Sequence, residues 1–270
     1  MKKKQEQHDE IESSNAPLIE HLSELRSRLI WCVLAFILCM VCVFPFSKYI
    51  FNFLAMPITE LLSIQNEAND LIFTGLQQGF MVNVKISFFG GFIVSFPFLG
   101  FQIWRFIAPG LYKKEKLAFL PFLIASPVLF FVGSAFAYFI VLPLAFNFFL
   151  SFQNSSDLND LVGIKYLGTI NEYLSLTMRF ILAFGICFQL PVLLTLMGKA
   201  GLVSSDSLIG IRKYAIVTIL VIAAIVTPPD VITQIILFSV VYSLYEISIL
   251  LVKLVEKKKE KALQQMDENI

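Results

Sequence analysis

Six long runs of apolar residues, parted by polar stretches, organise this chain. They cover about Leu29–Phe46, Ile86–Ile107, Leu117–Leu142, Leu174–Met197, Tyr214–Val226 and Val231–Val252. One large soluble core does not explain them, because the runs approach the ~20 residues a membrane-crossing helix needs, and they recur. In hydrocarbon every backbone polar group must be satisfied within its own segment, so each run is predicted to be helical. The pattern therefore predicts an all-α, polytopic integral membrane protein with six transmembrane helices. It divides into a cytoplasmic arm (1–28) with an interfacial amphipathic helix, a membrane domain (29–252) and a charged tail (253–270).

Two runs are irregular. The fifth has 13 residues, which at ~1.5 Å per residue reach roughly 20 Å against a ~30 Å hydrocarbon core. The sixth is interrupted by Glu246 and is reached through the tight turn Thr227-Pro228-Pro229-Asp230. Such a mismatch is relieved by local bilayer thinning or by a partner, and thinning is expected around this hairpin. The stretches Ser47–Gln78 and Ser151–Ile170 carry Gly, Pro, Asn, Ser and acids, and are expected to cap the spans with short helices. Pro97, Pro121, Pro127, Pro143 and Pro191 lie in or at the ends of spans, so a kinked, curved bundle is expected rather than a parallel one.

Composition agrees. The 270 residues are 57% hydrophobic and only 15% charged, well below the roughly 25% charged residues of soluble domains. Net charge is +1, so nothing points to nucleic acid; the distribution of charge is what informs. The arm, the second-to-third and fourth-to-fifth connections, and the tail hold 17 of the 21 basic residues. By the positive-inside rule both termini are expected in the cytoplasm. The N-terminal lysines are followed by acids rather than by an apolar stretch, so no cleavable signal peptide is expected. Cys32, Cys39, Cys42 and Cys187 lie in apolar runs and read as small packing residues, not as a disulfide or metal framework.

Two carboxylates lie on the basic side of the membrane. Leu18, Leu22, Leu25 and Leu29 form one stripe of the first helix, and Glu20, Glu24 and Arg28 another, at i+4 spacing. Glu24 then reads either as a partner for Arg28, worth a few tenths of a kcal/mol, or as a ligand for an arriving guanidinium. Glu115, among Lys113, Lys114 and Lys116, reads either as a solvated loop charge or as the second half of such a site. Arginine grips a carboxylate through two parallel hydrogen bonds that lysine cannot reproduce, so a carboxylate pair can tell Arg-Arg from Lys-Lys. Within the spans Gln102, Arg179, Gln189 and Glu246 are costly, about 2.5–3.5 kcal/mol for a central charge, and are expected to face the interior or a partner. Burial favours the neutral acid at Glu246. Snorkelling to the outer interface is the reading for Lys85 and Arg179. Gln189, beside Pro191, reads equally as a helix–helix hydrogen bond. No metalloprotease, phosphate-loop or nucleophile-elbow pattern occurs, and the only histidines are His8 and His21.

These residues carry a resemblance. His21-Leu22-Ser23-Glu24-Leu25-Arg26-Ser27-Arg28 is similar to the N-terminal signature of the TatC family, the multi-spanning subunit of the twin-arginine protein translocase. Gln102 through Tyr112, followed by Glu115, resembles that family's first cytoplasmic loop. Phe136–Phe139, Pro143–Phe146, Phe184-Gly185, Gln189–Val192, Thr227–Asp230 and Tyr245-Glu246 follow in order, so that the likeness runs over about residues 17–252.

The resemblance implies six spans in a concave, glove-like wall with both termini inside. It implies a bacterial inner-membrane protein, without cofactor or covalent chemistry. Its partners would be twin-arginine signal peptides on folded cargo, the single-span proteins TatA and TatB, membrane lipid and further copies of itself, with transport driven by the proton-motive force. It assigns motif binding to Glu24 and Glu115, supported by Arg26, Phe106, Leu111 and Tyr112. It puts Pro57 in the outer cap, and Thr227, Asp230, Gln234 and the last two spans where partner helices dock. One departure is Gln189, where many members carry Glu. The rival readings are a secondary transporter of a small solute, motivated by the intramembrane polar residues, and an intramembrane enzyme, for which no nucleophile–base or metal set is visible. The lack of an internal repeat counts against the transporter.

Overall fold

The structure is a computed structural model that describes residues 2–64, 71–107, 120–152, 168–228 and 230–267. Helix α1, Lys2–Val43, runs into a single 3-10 turn, Phe44–Phe46, and then into α2, Ser47–Ile64. Pro45 explains the change, since it cannot donate to the helical ladder. Helix α3 spans Gln78–Ile107, α4 Leu120–Phe136 and α5 Leu142–Leu150, with a π turn, Ala137–Val141, joining the last two. Helices α6, Ile170–Cys187, and α7, Leu190–Lys199, are parted only by Phe188 and Gln189. The short α8, Ser205–Gly210, leads into α9, Arg212–Val226, and α10, Val231–Asp267.

Five stretches are long and apolar enough to cross a membrane: Leu22–Ser63, Gln78–Ile103, Pro121–Leu150, Ile170–Lys199 and Val231–Lys261. The sixth expected span, α9, has 15 residues and reaches about 22 Å at ~1.5 Å per residue. It is two residues longer than the apolar run implied and still short of the bilayer core.

Boundaries shift where polar chemistry, invisible to an apolar count, sets the ends. Helix α3 begins at Gln78 rather than near Ile86, because the Gln78 amide accepts from the Thr74 N–H at 2.9 Å and donates to the Thr74 hydroxyl at 2.7 Å. Those bonds hold the turn that begins at Thr74 against the first helical residue, whose own N–H reaches the Gly75 carbonyl at 3.1 Å. The π turn lies just before and around the point where the Pro143 ring would press on the Phe139 carbonyl. The α6–α7 break falls before Pro191, which leaves the Cys187 carbonyl without its usual donor. Gly201 at φ 74° closes α7, with Gly201 N–H on the Gly198 carbonyl at 3.0 Å and Leu202 N–H on that of Met197 at 2.9 Å. This reciprocal pair is the glycine-dependent helix stop. Helix α10 continues past Val252 to Asp267, so the expected tail begins as an extension of the last span.

Helices α4 and α6 pack closely. Phe130, Phe180 and Phe184 are fully buried there, and a Cβ on Gly185 would lie 2.6 Å from the Phe130 ring. In a bilayer the neighbouring lipid is as apolar as leucine, so close backbone approach and side-chain fit replace the hydrophobic drive. Helix α1 uses the same device against α3, where a Cβ on Gly91 would meet Met40 backbone at 2.7 Å.

Helix α2 packs on α3, α5 and α6 as a cap. Pro57 shows how it is fastened. Lacking an N–H, Pro57 frees the Phe53 carbonyl, which accepts the Tyr138 hydroxyl at 2.5 Å. The Tyr173 hydroxyl bonds the next carbonyl, that of Leu54. One isolated parallel bridge, Ile72 with Thr169, ties the segment after the cap to the start of α6.

Candidate functional site

Helices α1 and α3 meet at an open groove of about 690 Å³, lined by Ser23, Glu24, Arg28, Trp31, Gln102 and Arg105 among others. The i+4 spacing in α1 stacks Glu24 and Arg28 on one face. Arg28 directs its guanidinium edge at one oxygen of Glu24, with Nε at 3.1 Å and Nη2 on the same Oε1. Its Nη1 also donates to the Gln102 carbonyl at 3.4 Å, which ties α1 to α3. Arg28 is the better buried of the two, its side chain 16% exposed against 36% for Glu24. The pairing that spacing offered for Glu24 is thus present. It does not exclude the ligand reading, since Glu24 still borders the open groove.

The other expected members are distributed as follows. Arg26 is exposed and Phe106 is half-buried at the end of α3. Leu111, Tyr112 and Glu115 lie outside the described residues, so the distance between Glu24 and Glu115 is not part of the structure. Arg105 and Trp31 line the groove without having been singled out as site residues. Trp31 is 58% exposed in an apolar run and gave no sequence signal.

The intramembrane polar residues are found in two further places. Gln189, at the α6–α7 break, forms a reciprocal pair with Ser126 of α4: it accepts from the Ser126 hydroxyl and donates to the Ser126 carbonyl, both at 2.9 Å. This is the helix–helix hydrogen bond the sequence allowed. Glu246 accepts from Arg212 Nη2 at 2.7 Å and from the Tyr242 hydroxyl at 2.9 Å. The expectation of a lone, neutral acid at Glu246 gives way to an ion pair, because the α8–α9 junction delivers a guanidinium to it. Arg212 lies 34 residues from its partner, with no local pattern to announce it.

The turn between α9 and α10 is also built from polar bonds. Asp230 caps α10 by accepting the Thr233 N–H at 2.7 Å. Thr227 donates to the Ala223 carbonyl at 2.9 Å, and Gln234 reaches the Leu220 carbonyl at 3.4 Å. Lys85 is exposed and donates to Asn171 Oδ1 at 2.6 Å, while Arg179 is exposed one turn beyond Ser175.

The profile of the family described as Sec-independent protein translocase protein (TatC) matches residues 20–239. The chain belongs to the TatC family. It is 48% identical over 244 residues to the Sec-independent protein translocase protein TatC of Magnetococcus marinus, covering 90% of this chain and 86% of the relative. It is 42% identical to that of Aquifex aeolicus, covering 90% and 98%. With the Escherichia coli K12 protein it shares 36% over 233 residues, 86% of each. Among solved structures, a crystal structure of a twin-arginine translocase receptor, TatC, superposes with a TM-score of 0.76 at 42% identity, covering 87% of this chain and 99% of that one. The same receptor crystallised in DDM gives 0.75 at 42% identity, covering 86% and 98%. The fold is therefore that of TatC, a multi-pass membrane component of protein translocation, and the solute-transporter reading gains no support.

Proposed function

We propose that this TatC-family chain is the signal-peptide receptor and core subunit of a twin-arginine translocation complex. It resides in the bacterial inner membrane with both termini in the cytoplasm. It binds the Arg-Arg motif of folded cargo, and with TatA- and TatB-type single-span partners it exports that cargo at the expense of the proton-motive force, without covalent chemistry of its own.

The observation that carries this reading is the α1–α3 groove, in which Glu24 already holds a guanidinium edge from Arg28. A carboxylate that receives Nε and Nη of an internal arginine is shaped to receive those of an arriving one. Lysine, with a point charge, cannot use that geometry. Glu115 supplies the second carboxylate in this proposal, with Arg26, Phe106, Leu111 and Tyr112 shaping the walls. The hairpin carrying Thr227, Asp230, Gln234 and Glu246 is the proposed docking place for partner helices, with Gln102 and Gln189 as polar joints of the wall and Pro57 as a fixed point of the outer cap. The exposed apolar face of α9, with Val217, Val221 and Ile225, supports that assignment.

The test is crosslinking of labelled signal peptides to membranes containing the assembled complex. Glu24→Ala and Glu115→Ala are expected to cut capture of an Arg-Arg peptide several-fold, while an already weak Lys-Lys peptide changes little. Unchanged capture in both variants removes the assigned role.

A further inference from the structure

Two cavities share Phe53, Tyr138 and Phe139, and together they form one trough. The deeper part encloses about 330 Å³ between apolar groups that include Gly90, Val94, Phe131 and Ala135. The upper part, about 230 Å³, reaches Pro57, Glu60 and Pro143 under the α2 cap. The two hydroxyls on its walls are turned away from the space: Tyr138 donates to the Phe53 carbonyl and Ser134 to that of Ile181. What faces the trough is hydrocarbon, apart from one carboxylate at its upper mouth.

The dimensions choose the occupant. From Phe131 to Phe139 the deep part runs along eight residues of helix, about 12 Å at ~1.5 Å each. A volume of 330 Å³ over that length corresponds to a width of at least roughly 6 Å, against ~10–12 Å for a helix with its side chains. A partner helix does not enter; a single hydrocarbon chain does. The whole trough, Phe131 to Pro143, is about 18 Å long, the scale of one acyl chain. Glu60 is exposed at the mouth, and no cation pairs with it among the described residues. A carboxylate there repels a purely anionic headgroup and attracts an ammonium.

We infer that this trough holds one phospholipid of the cap-side leaflet, with an acyl chain between α2, α3 and the π turn, and a primary-amine headgroup at Glu60. The lipid then fills space that the π turn and Pro57 leave open, and it joins the cap to the spans beneath. The inference needs only that the chain spans the membrane, so it stands or falls apart from the receptor assignment.

The experiment uses the full chain in nanodiscs of equal parts phosphatidylethanolamine and phosphatidylglycerol, followed by native mass spectrometry of lipid retained on release. The wild-type chain is expected to keep one phosphatidylethanolamine in several-fold preference to phosphatidylglycerol. Glu60→Gln is expected to keep a lipid but lose the preference. Ala135→Phe fills the trough from its exposed side and is expected to release the lipid; Val94→Trp does the same from α3 should the first variant fold poorly. An unchanged headgroup ratio in Glu60→Gln overturns the inference. So does equal retention in a folded trough-filled variant, and so does a photoreactive group at position 135 that captures a protein and no lipid.

Discussion

The α4–α6 pair and the α9–α10 hairpin solve the same problem by opposite means. Between α4 and α6, backbones approach so closely that Gly133 and Gly185 have no room for a Cβ, and Phe130 and Phe184 are wholly enclosed. Position there is set by shape along the full length of contact. Helix α9 buries only Ile219 and Ala223, and it packs mainly on α10 with slight contact to α6 and α8. Its position is set at the ends. Arg212–Glu246 and the Tyr245 hydroxyl on the Leu208 carbonyl fasten one end, and the Asp230 cap and the Thr227 bond fasten the other. A short helix held at both ends keeps its outward face uncommitted, which suits a docking element; a helix locked along its length suits a wall.

The sharpest break in this contrast is Phe184→Ala set beside Ile225→Ala. Phe184 is 0% exposed and Ile225 73%. Lipid replaces water as the reference, so much of the transfer cost of a truncated core residue is absent. The cavity cost remains, and Phe184→Ala is expected to lose about 2 kcal/mol or more. Ile225→Ala is expected to stay within ~0.5 kcal/mol, as surface changes do. Thermal unfolding of the two purified variants in one detergent checks this, and equal losses would erase the distinction between wall and hairpin.

A smaller effect is expected at the turn between α9 and α10. Asp230→Ala removes the cap of α10 and the acceptor of the Thr233 N–H, at a cost of ~1 kcal/mol. The loss is expected to be local, so hydrogen exchange at residues 231–234 should rise while the α4–α6 amides keep their protection. Uniform acceleration across both regions would mean that the hairpin end is not an independent fastening.

What the sequence made legible follows the same division. Long apolar runs announce spans because hydrocarbon tolerates little else, and the shortness of α9 was readable for that reason. Pairing of Glu24 with Arg28 was readable from i+4 spacing. The contact of Arg28 with the Gln102 carbonyl spans 74 residues, and that of Arg212 with Glu246 spans 34. No local period encodes either, so Glu246 looked like a lone acid. The polar start of α3 at Gln78 was hidden because its first turns are not apolar enough to count. The π turn depends on how Pro143 is accommodated against the preceding turn, and proline alone does not say whether a helix kinks, breaks or widens.

The smallest expected effect lies at the Arg212–Glu246 fastening, and it discriminates most finely. Both side chains are partly exposed, 42% and 32%, so solvent screening limits their coupling to about 0.5–1 kcal/mol. A double-mutant cycle with Arg212→Gln and Glu246→Gln isolates that term, because the cycle cancels what each substitution costs apart from the pair. Glu246→Gln also keeps an acceptor for the Tyr242 hydroxyl, so its loss reports the charge rather than the hydrogen bond. Global unfolding is expected to register little. Proteolysis of the α8–α9 connection is expected to speed up in either single variant, and the double variant should be no worse than the singles. Additive losses would show that the two residues act separately, and the α8 end of the hairpin would then be held by Tyr245 and its carbonyl partner rather than by an ion pair.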